Sequence, residues 1–313
     1  MAKLKDIKGT AIQFRDSDPE VYVGSWSSGG ALNSGRSLLG GFGAPTGASA
    51  NIVFGGSNPG SPNVAIAESY NGSSWTEVGD LNTGRQLPSG FGTTTAGYSI
   101  AGNYDGAPGA GSNNVESWNG SAWSETTEIN SARIAGVATG TTTAGLFSTG
   151  TSPTSGTPSS TVLNESWNGS AWTEVADLNQ ARREGAGSGT TNTAALVFGG
   201  RNPPSSATLA TNELWNGSAW TETGDLNTTR YALSGSGSST AAIAFAGNAP
   251  PGKIANTEQW DGSSWTEVND LATARASGAN GTVGTSSTSL LSGGDSGSIV
   301  ATTEEWTFGG LDP

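Results

Sequence analysis

Six arginines occupy one position of a recurring sequence, and a tryptophan and a glutamate recur with them. The arginines are Arg36, Arg85, Arg133, Arg182, Arg230 and Arg275. The tryptophans are Trp26, Trp75, Trp123, Trp172, Trp220 and Trp265, and in five copies a glutamate follows two residues later, at Glu77, Glu125, Glu174, Glu222 and Glu267. Guanidinium, carboxylate and indole groups brought together once per repeat could bind sugars. The alternative is structural, with each arginine tying a loop to a carboxylate or carbonyl of its own or the next repeat.

Composition excludes several kinds of chemistry. The 313 residues include no cysteine and no histidine, which removes disulfides, thiolate or imidazole metal sites and Ser-His-Asp triads. We therefore expect no cofactor and no metal. The net charge of −13 opposes nucleic-acid binding, since phosphate backbones require a basic surface. No apolar run approaches 18 residues, and charges stand where a signal peptide needs its apolar stretch, so neither membrane insertion nor a signal peptide is expected.

The recurring block has the form Glu-x-Trp-Asn-Gly-Ser-x-Trp. The block occurs five times, and its second tryptophans, from Trp75 to Trp265, are 48, 49, 48 and 45 residues apart. Trp26 lies 49 residues before Trp75 and belongs to the same series, which defines six units. Each unit also contains a Gly-rich segment and an apolar run that ends in Gly-Gly or a similar pair, as in Ala194–Gly200. Asn-Gly between β-favouring residues predicts a type I′ hairpin turn. Each unit therefore predicts four strands, with glycines in the innermost one because six strands converge on a crowded channel.

Four short strands in each unit of 45–50 residues are typical of a propeller blade. The strands of each unit come in a fixed order: a Gly-rich strand, an apolar strand ending in Gly-Gly, a Glu-x-aromatic strand and a Trp strand. This order resembles kelch repeats over roughly residues 20–309. Ala101-Gly102, Thr149-Gly150 and Ala246-Gly247 depart from the double glycine. The resemblance implies an all-β, six-bladed kelch-like propeller with four antiparallel strands per blade. Some sugar-binding propellers of six blades use Arg, Glu and Trp once per blade, which keeps the lectin interpretation open.

Ring closure is predicted from the two ends of the repeat. The C-terminal Glu304–Phe308 matches the third strand of a blade, and Val21–Trp26 offers the missing fourth strand. The two segments should pair in one blade and leave no open sheet edge. The predicted domains are an N-terminal arm over residues 1–20, a propeller over 21–309 and a tail over 310–313. The tryptophans of the second series are expected to pack blade against blade.

Two irregular regions are candidates for binding. The loops between the second and third strands differ in every unit and should share a face with the arginine-bearing connections, opposite the Asn-Gly turns. The arm contains Lys3, Lys5, Lys8 and Arg15, which could dock on an acidic partner. The respective alternatives are loops that only tolerate sequence drift and a disordered leader.

The opening residues 1–14 and the near-identical Trp-Asn-Gly-Ser-Ala-Trp blades resemble kelch-like propeller proteins of marine bacteriophages, including those that infect cyanobacteria. This resemblance implies a virion component of the capsid or the tail. We therefore expect a non-enzymatic structural protein located in the virion, bound to other virion proteins through residues 1–20 or one propeller face. A glycan-binding lectin with sites between blades is the first alternative. A carbohydrate-active enzyme is the second, but no pair of carboxylates stands out as its catalytic pair.

Overall fold

In the part of the chain that the structure describes, the regular secondary structure is β-strand, which forms six large sheets and three short two-stranded ribbons. The computed structural model describes residues 24–43, 48–104, 111–153, 159–202, 207–280 and 285–308. Each sheet contains four antiparallel strands and forms one blade of a β-propeller. No helix that could cross a bilayer occurs within those ranges. The predicted arm (residues 1–20) and tail (residues 310–313) lie outside the described residues, so their boundaries stay predictions.

In each of the first three blades, the strands follow one another from the channel outward. Blade 1 contains β2 (Gly40–Gly43), β3 (Asn51–Phe54), β4 (Ala67–Tyr70) and β5 (Trp75–Glu77). Blade 2 contains β6 (Ser89–Thr93), β7 (Ala96–Ile100), β8 (Val115–Trp118) and β9 (Trp123–Glu125). Blade 3 contains β10 (Val137–Thr141), β11 (Ala144–Ser148), β14 (Asn164–Trp167) and β15 (Trp172–Val175).

The other three blades repeat this arrangement. Blade 4 contains β16 (Ala186–Thr191), β17 (Ala194–Phe198), β20 (Asn212–Trp215) and β21 (Trp220–Glu222). Blade 5 contains β22 (Ser234–Gly237), β23 (Ala242–Phe245), β26 (Thr257–Trp260) and β27 (Trp265–Val268). Blade 6 contains β28 (Ala279–Asn280), β29 (Thr288–Ser292), β30 (Thr303–Thr307) and β1 (Ser25–Gly29).

Short two-stranded ribbons extend from the loops between the second and third strands of blades 3, 4 and 5. They are β12 (Thr151–Ser152) with β13 (Ser159–Ser160), β18 (Arg201–Asn202) with β19 (Ala207–Thr208), and β24 (Asn248–Ala249) with β25 (Gly252–Lys253).

Blade 6 joins the two ends of the described chain. β1 pairs antiparallel with β30, and Trp26 lies opposite Trp306 in the register. The innermost strands of successive blades contact one another around the whole ring, including β28 with β2. The sheet edges therefore remain only at the channel and at the outer rim. On the rim, exposed Glu77 and its equivalents in blades 2 to 5 place a charge on each short outer strand, which disfavours pairing with another sheet.

Glycines on the first and second strands of the blades make room for aromatic rings of the neighbouring blade. On the second strands, a Cβ at Gly97 would lie 2.4 Å from the Phe42 ring, and one at Gly145 would lie 2.3 Å from the Phe91 ring. The same occurs on an inner strand at Gly235, whose Cβ would lie 2.5 Å from Phe198. At these three positions the crowding comes from the adjacent blade rather than from the channel. The apolar second strands complete each interface, and those of blades 1 and 5, Asn51–Phe54 and Ala242–Phe245, are buried at every residue.

The Asn-Gly turns differ from the predicted type I′ geometry. Trp118 lies opposite Trp123, so four residues form the turn, and only Gly120 has a positive φ, of 96°. The Asn119 side-chain oxygen accepts hydrogen bonds from the backbone N–H groups of Ser121 and Ala122. This side-chain cap replaces the second left-handed residue that a two-residue hairpin needs. The outer strand consequently begins at the tryptophan and not at the serine.

Candidate functional site

The six repeated arginines lie inside the protein, each paired with a glutamate. Their partners are the glutamates of the Glu-x-aromatic strands: Glu68, Glu116, Glu165, Glu213, Glu258 and Glu304. The Arg182 Nη2 to Glu213 Oε1 distance is 2.8 Å, and the equivalent Arg133 to Glu165 distance is 2.7 Å. All six arginines are fully buried. A ligand in solution could reach these guanidinium groups only by displacing the glutamates.

Each arginine joins two successive blades. The Arg182 N–H donates to Thr161 O and the Arg182 carbonyl accepts from Gly150 N, both in blade 3. Its side chain donates to Gly199 O at 3.1 Å and to Thr211 O at 2.7 Å, both in blade 4. Together with the ion pair to Glu213, these bonds join blade 3 to the backbone and the glutamate of blade 4. A backbone carbonyl that accepts from the preceding blade and an ion pair to a glutamate of the next blade recur at all six boundaries, so we call these arginines the fasteners.

Burial lowers the pKa of every fastener arginine, since it penalises the charged form, while the paired glutamate opposes this effect. For Arg133 the pKa is lowered to about 10. Its guanidinium lies 4.6 Å from the centroid of the Phe147 ring, and its Nε and Nη1 atoms have no hydrogen-bond partner within the described residues. Each glutamate also accepts from a second residue of the connection, as Glu213 does from the Asn179 N–H and amide.

The second-series tryptophans pack between blades. Trp123 of blade 2 lies 5.1 Å from Phe54 of blade 1, and Trp26 of blade 6 lies 4.9 Å from Phe245 of blade 5, as ring centroids. Five of the six are buried, and Trp26 is partly exposed. The glutamates two residues beyond the tryptophans, from Glu77 to Glu267, are exposed on the rim. The structure therefore does not bring these glutamates together with the repeated arginines. Lys3, Lys5, Lys8 and Arg15 lie outside the described residues.

One face of the propeller carries the connections between blades together with the loops between second and third strands, and we call it the loop face. Each connection pairs with the loop of the blade it enters through an isolated β-bridge, directly after the fastener arginine. The six bridged pairs are Ser37 with Ser57, Gln86 with Asn103, Ile134 with Thr151, Arg183 with Arg201, Tyr231 with Asn248, and Ala276 with Asp295. The backbone of this ring is uniform, whereas the residue types it presents differ in every blade.

A closed cycle of backbone hydrogen bonds surrounds the channel just inside this ring. Its members, two residues after each fastener, are Leu38, Leu87, Ala135, Glu184, Ala232 and Ser277, with φ between 52° and 58°. Each N–H donates to the carbonyl of the preceding member, at 2.7 to 3.4 Å, and Leu38 closes the cycle by donating to Ser277. Left-handed backbone is costly for residues with a Cβ, of the order of 1–2 kcal/mol each. These residue types carry no sequence signal for that conformation, so sequence reasoning missed the cycle.

Surface cations of the described chain are confined to one sector of the loop face. Besides the fasteners, the described residues include three lysines or arginines: Arg183, Arg201 and Lys253. Lys253 pairs with Asp295 at 2.7 Å, and this hydrogen bond lowers the pKa of Asp295. Arg201 pairs with Glu184 at 2.7 Å, and its guanidinium stacks 4.5 Å from the centroid of the Tyr231 ring.

No protein-family model matches this sequence, and no curated protein matches it. Its function must therefore be inferred from the geometry. Within the described ranges, no group of three or more aspartates and glutamates is placed to hold an ion. What the geometry offers is a uniform, internally fastened ring with one face of varied side chains.

Proposed function

We propose that this protein is a non-enzymatic structural component of a bacteriophage virion and contacts another virion protein through its loop face. The observation that carries the proposal is the contrast between the uniform fasteners and the six different residue pairs that the same backbone presents. Such a framework holds a varied surface rigidly, and a rigid surface loses little conformational entropy when a partner binds. The kelch-like repeat and the phage-like opening residues support the same assignment.

The loop face is a better candidate than the opposite face. On the opposite face, the Asn-Gly turns of blades 1 to 5 are nearly identical, with Asp261 replacing the asparagine in blade 5. Turns that repeat from blade to blade offer no single oriented site. The loop face varies around the ring, so a partner bound there can distinguish one blade from another. Residues 1–20, with their lysines, remain a second candidate for attachment to the particle.

Peptide mass spectrometry of density-purified particles from the source tests this proposal. We expect the protein in the particles at a fixed ratio to the major capsid protein. A copy number in the hundreds would indicate decoration of the capsid, and a few to about a dozen copies would indicate the tail. Intact protein found only outside the particles would contradict the virion assignment.

Glycan binding is the second candidate function, and one observation favours it: on the loop face Arg183 is bridged to Arg201, whose guanidinium lies 4.5 Å from the centroid of the Tyr231 ring, and Asn248 donates to the Tyr231 hydroxyl. Sugar sites between blades through the repeated arginines would be tested by replacing Arg182 and Arg230 together. A lectin of that kind would lose sugar binding and stay folded. A structural role would appear as a loss of stability, which is the result we expect because both arginines are fully buried.

A further inference from the structure

The cationic sector of the loop face contains one more positive charge than its own carboxylates neutralise. Arg183 and Arg201 are brought together by their backbone bridge and share a single acid, Glu184. Arg201 forms the close pair with it, at 2.7 Å, whereas Arg183 Nε is 3.9 Å from the same oxygen. Lys253 is already paired with Asp295. Arg183 is therefore the cation whose charge is left without a close partner.

The Arg183 side chain is accessible to a ligand. Its side chain is 22% exposed, and its guanidinium makes no hydrogen bond within the described residues. Its buried Nε–H is likewise without a partner, which is a sizeable cost for a charged donor. A guanidinium presents its donors as a planar fork that matches a carboxylate in a two-point contact. An incoming carboxylate would satisfy the solvent-exposed terminal N–H donors of this fork.

Uncharged polar groups adjoin this cation. Arg201, which shares Glu184 with Arg183, has its guanidinium 4.5 Å from the centroid of the Tyr231 ring, and Asn248 Nδ2 donates to the Tyr231 hydroxyl at 2.9 Å. This bond leaves two groups for a ligand: the Tyr231 hydroxyl as a donor and the side-chain amide oxygen of Asn248 as an acceptor. Neither has another partner within the described ranges. A hydrogen donor and an acceptor beside a charged fork fit a ligand that carries hydroxyl groups as well as a carboxylate.

We propose that Arg183, Tyr231 and Asn248 form a binding site for a uronic acid, a sugar ring that bears one carboxylate. The carboxylate contacts Arg183, and the ring hydroxyls contact Tyr231 and Asn248. Glu184 competes with the ligand, since it supplies the carboxylate that the arginine pair holds in the free protein. The site is distinct from the fasteners, and it does not depend on whether the protein belongs to a virion.

Isothermal titration calorimetry of the full-length protein tests the site, with glucuronate as the probe. Glucose is the matched probe without a carboxylate, and acetate and N-acetyl-glutamate amide are carboxylates without the sugar ring. We expect glucuronate to bind, glucose to show no binding and the two other carboxylates to bind at least about tenfold more weakly. Arg183→Gln should lose about tenfold or more, because a hydrogen bond to a charged group contributes about 1.5–3 kcal/mol.

Two further variants separate a binding role from a structural one. Lys253→Gln removes a cation of the same face that is already paired, and it should leave glucuronate affinity unchanged. Glu184→Gln removes the competing carboxylate and should tighten glucuronate binding several-fold. Thermal melts confirm that each variant is folded. The proposal is overturned if glucuronate does not bind the wild-type protein, or if it binds Arg183→Gln equally well. It is also overturned if the glutamate derivative binds as tightly as glucuronate, which would point to an acidic protein side chain.

Discussion

Replacing one fastener arginine should destabilise the whole ring. In Arg182→Met, the buried Glu213 keeps its charge but loses its partner at 2.8 Å, and the carbonyls of Gly199 and Thr211 lose their side-chain donor. Breaking a buried ion pair from one side costs about 3–5 kcal/mol, because the remaining charge is left uncompensated. The unfolding entropy is about 2.1 cal/mol/K per residue, so for this chain length the expected fall in Tm is roughly 5–8 °C.

The matched control is Arg201→Met, which removes an arginine from an equally short pair of 2.7 Å with Glu184. That side chain is 27% exposed, and exposed pairs contribute about 0–1 kcal/mol. Differential scanning calorimetry of the two variants gives both shifts under one set of conditions. The double variant Arg182→Met/Glu213→Gln should recover part of the loss, because it removes the stranded charge. If Arg182→Met melts within about 1 °C of Arg201→Met, the fastener interpretation is wrong.

Three further outcomes follow from single contacts. Thr149 has a left-handed φ of 62° at the position that Gly199 occupies in blade 4. Because this conformation is costly for a residue with a Cβ, Thr149→Gly should raise the free energy of unfolding by about 1 kcal/mol in a denaturant titration, and Gly199→Thr should lower it. Thr303→Val should cost about 1–3 kcal/mol in the same assay, since the buried Trp75 Nε1 donates to the Thr303 hydroxyl at 3.0 Å. Burial and the hydrogen bond with Glu305 raise the pKa of Tyr70 to about 12, so the folded state holds this proton more tightly than the unfolded state does. Its contribution to stability is complete below about pH 10 and is lost towards pH 12, and Tyr70→Phe should remove that part of the alkaline slope in pH-dependent melts.

The blade count, the strand order and the pairing of the two ends could be predicted from the sequence because they depend on a repeated pattern. Five copies of one block, together with Trp26 at the same spacing, fix a period. The last unit lacks its fourth strand, and the segment around Trp26 supplies a matching one. The four-residue Asn-Gly turn could not be predicted, since the same dipeptide fits a two-residue hairpin. The register of Trp118 opposite Trp123 distinguishes the two turns.

The role of the repeated arginines stayed open in the sequence because two series of glutamates have the same period. In the sequence, Glu77 and its equivalents stand out because each lies two residues after a tryptophan. In the structure, the arginines pair instead with Glu68 and its equivalents. A period places residues at equivalent positions in successive blades, but it does not give the direction of a side chain. The hydrogen-bonded cycle and the Arg183 sector were missed for a related reason. They depend on backbone conformation and on residues that do not repeat.

Site-specific photo-cross-linking in assembled particles tests most directly whether the loop face is the contact surface. A photoreactive side chain fits at Gly60 on the loop face, where a Cβ would have only the Asn58 side-chain oxygen nearby, at 3.6 Å. The same group at the exposed Ser121 of an Asn-Gly turn probes the opposite face. We predict cross-links to another virion protein from Gly60 and none from Ser121. Cross-links from Ser121 alone would contradict the assignment of the loop face as the contact surface.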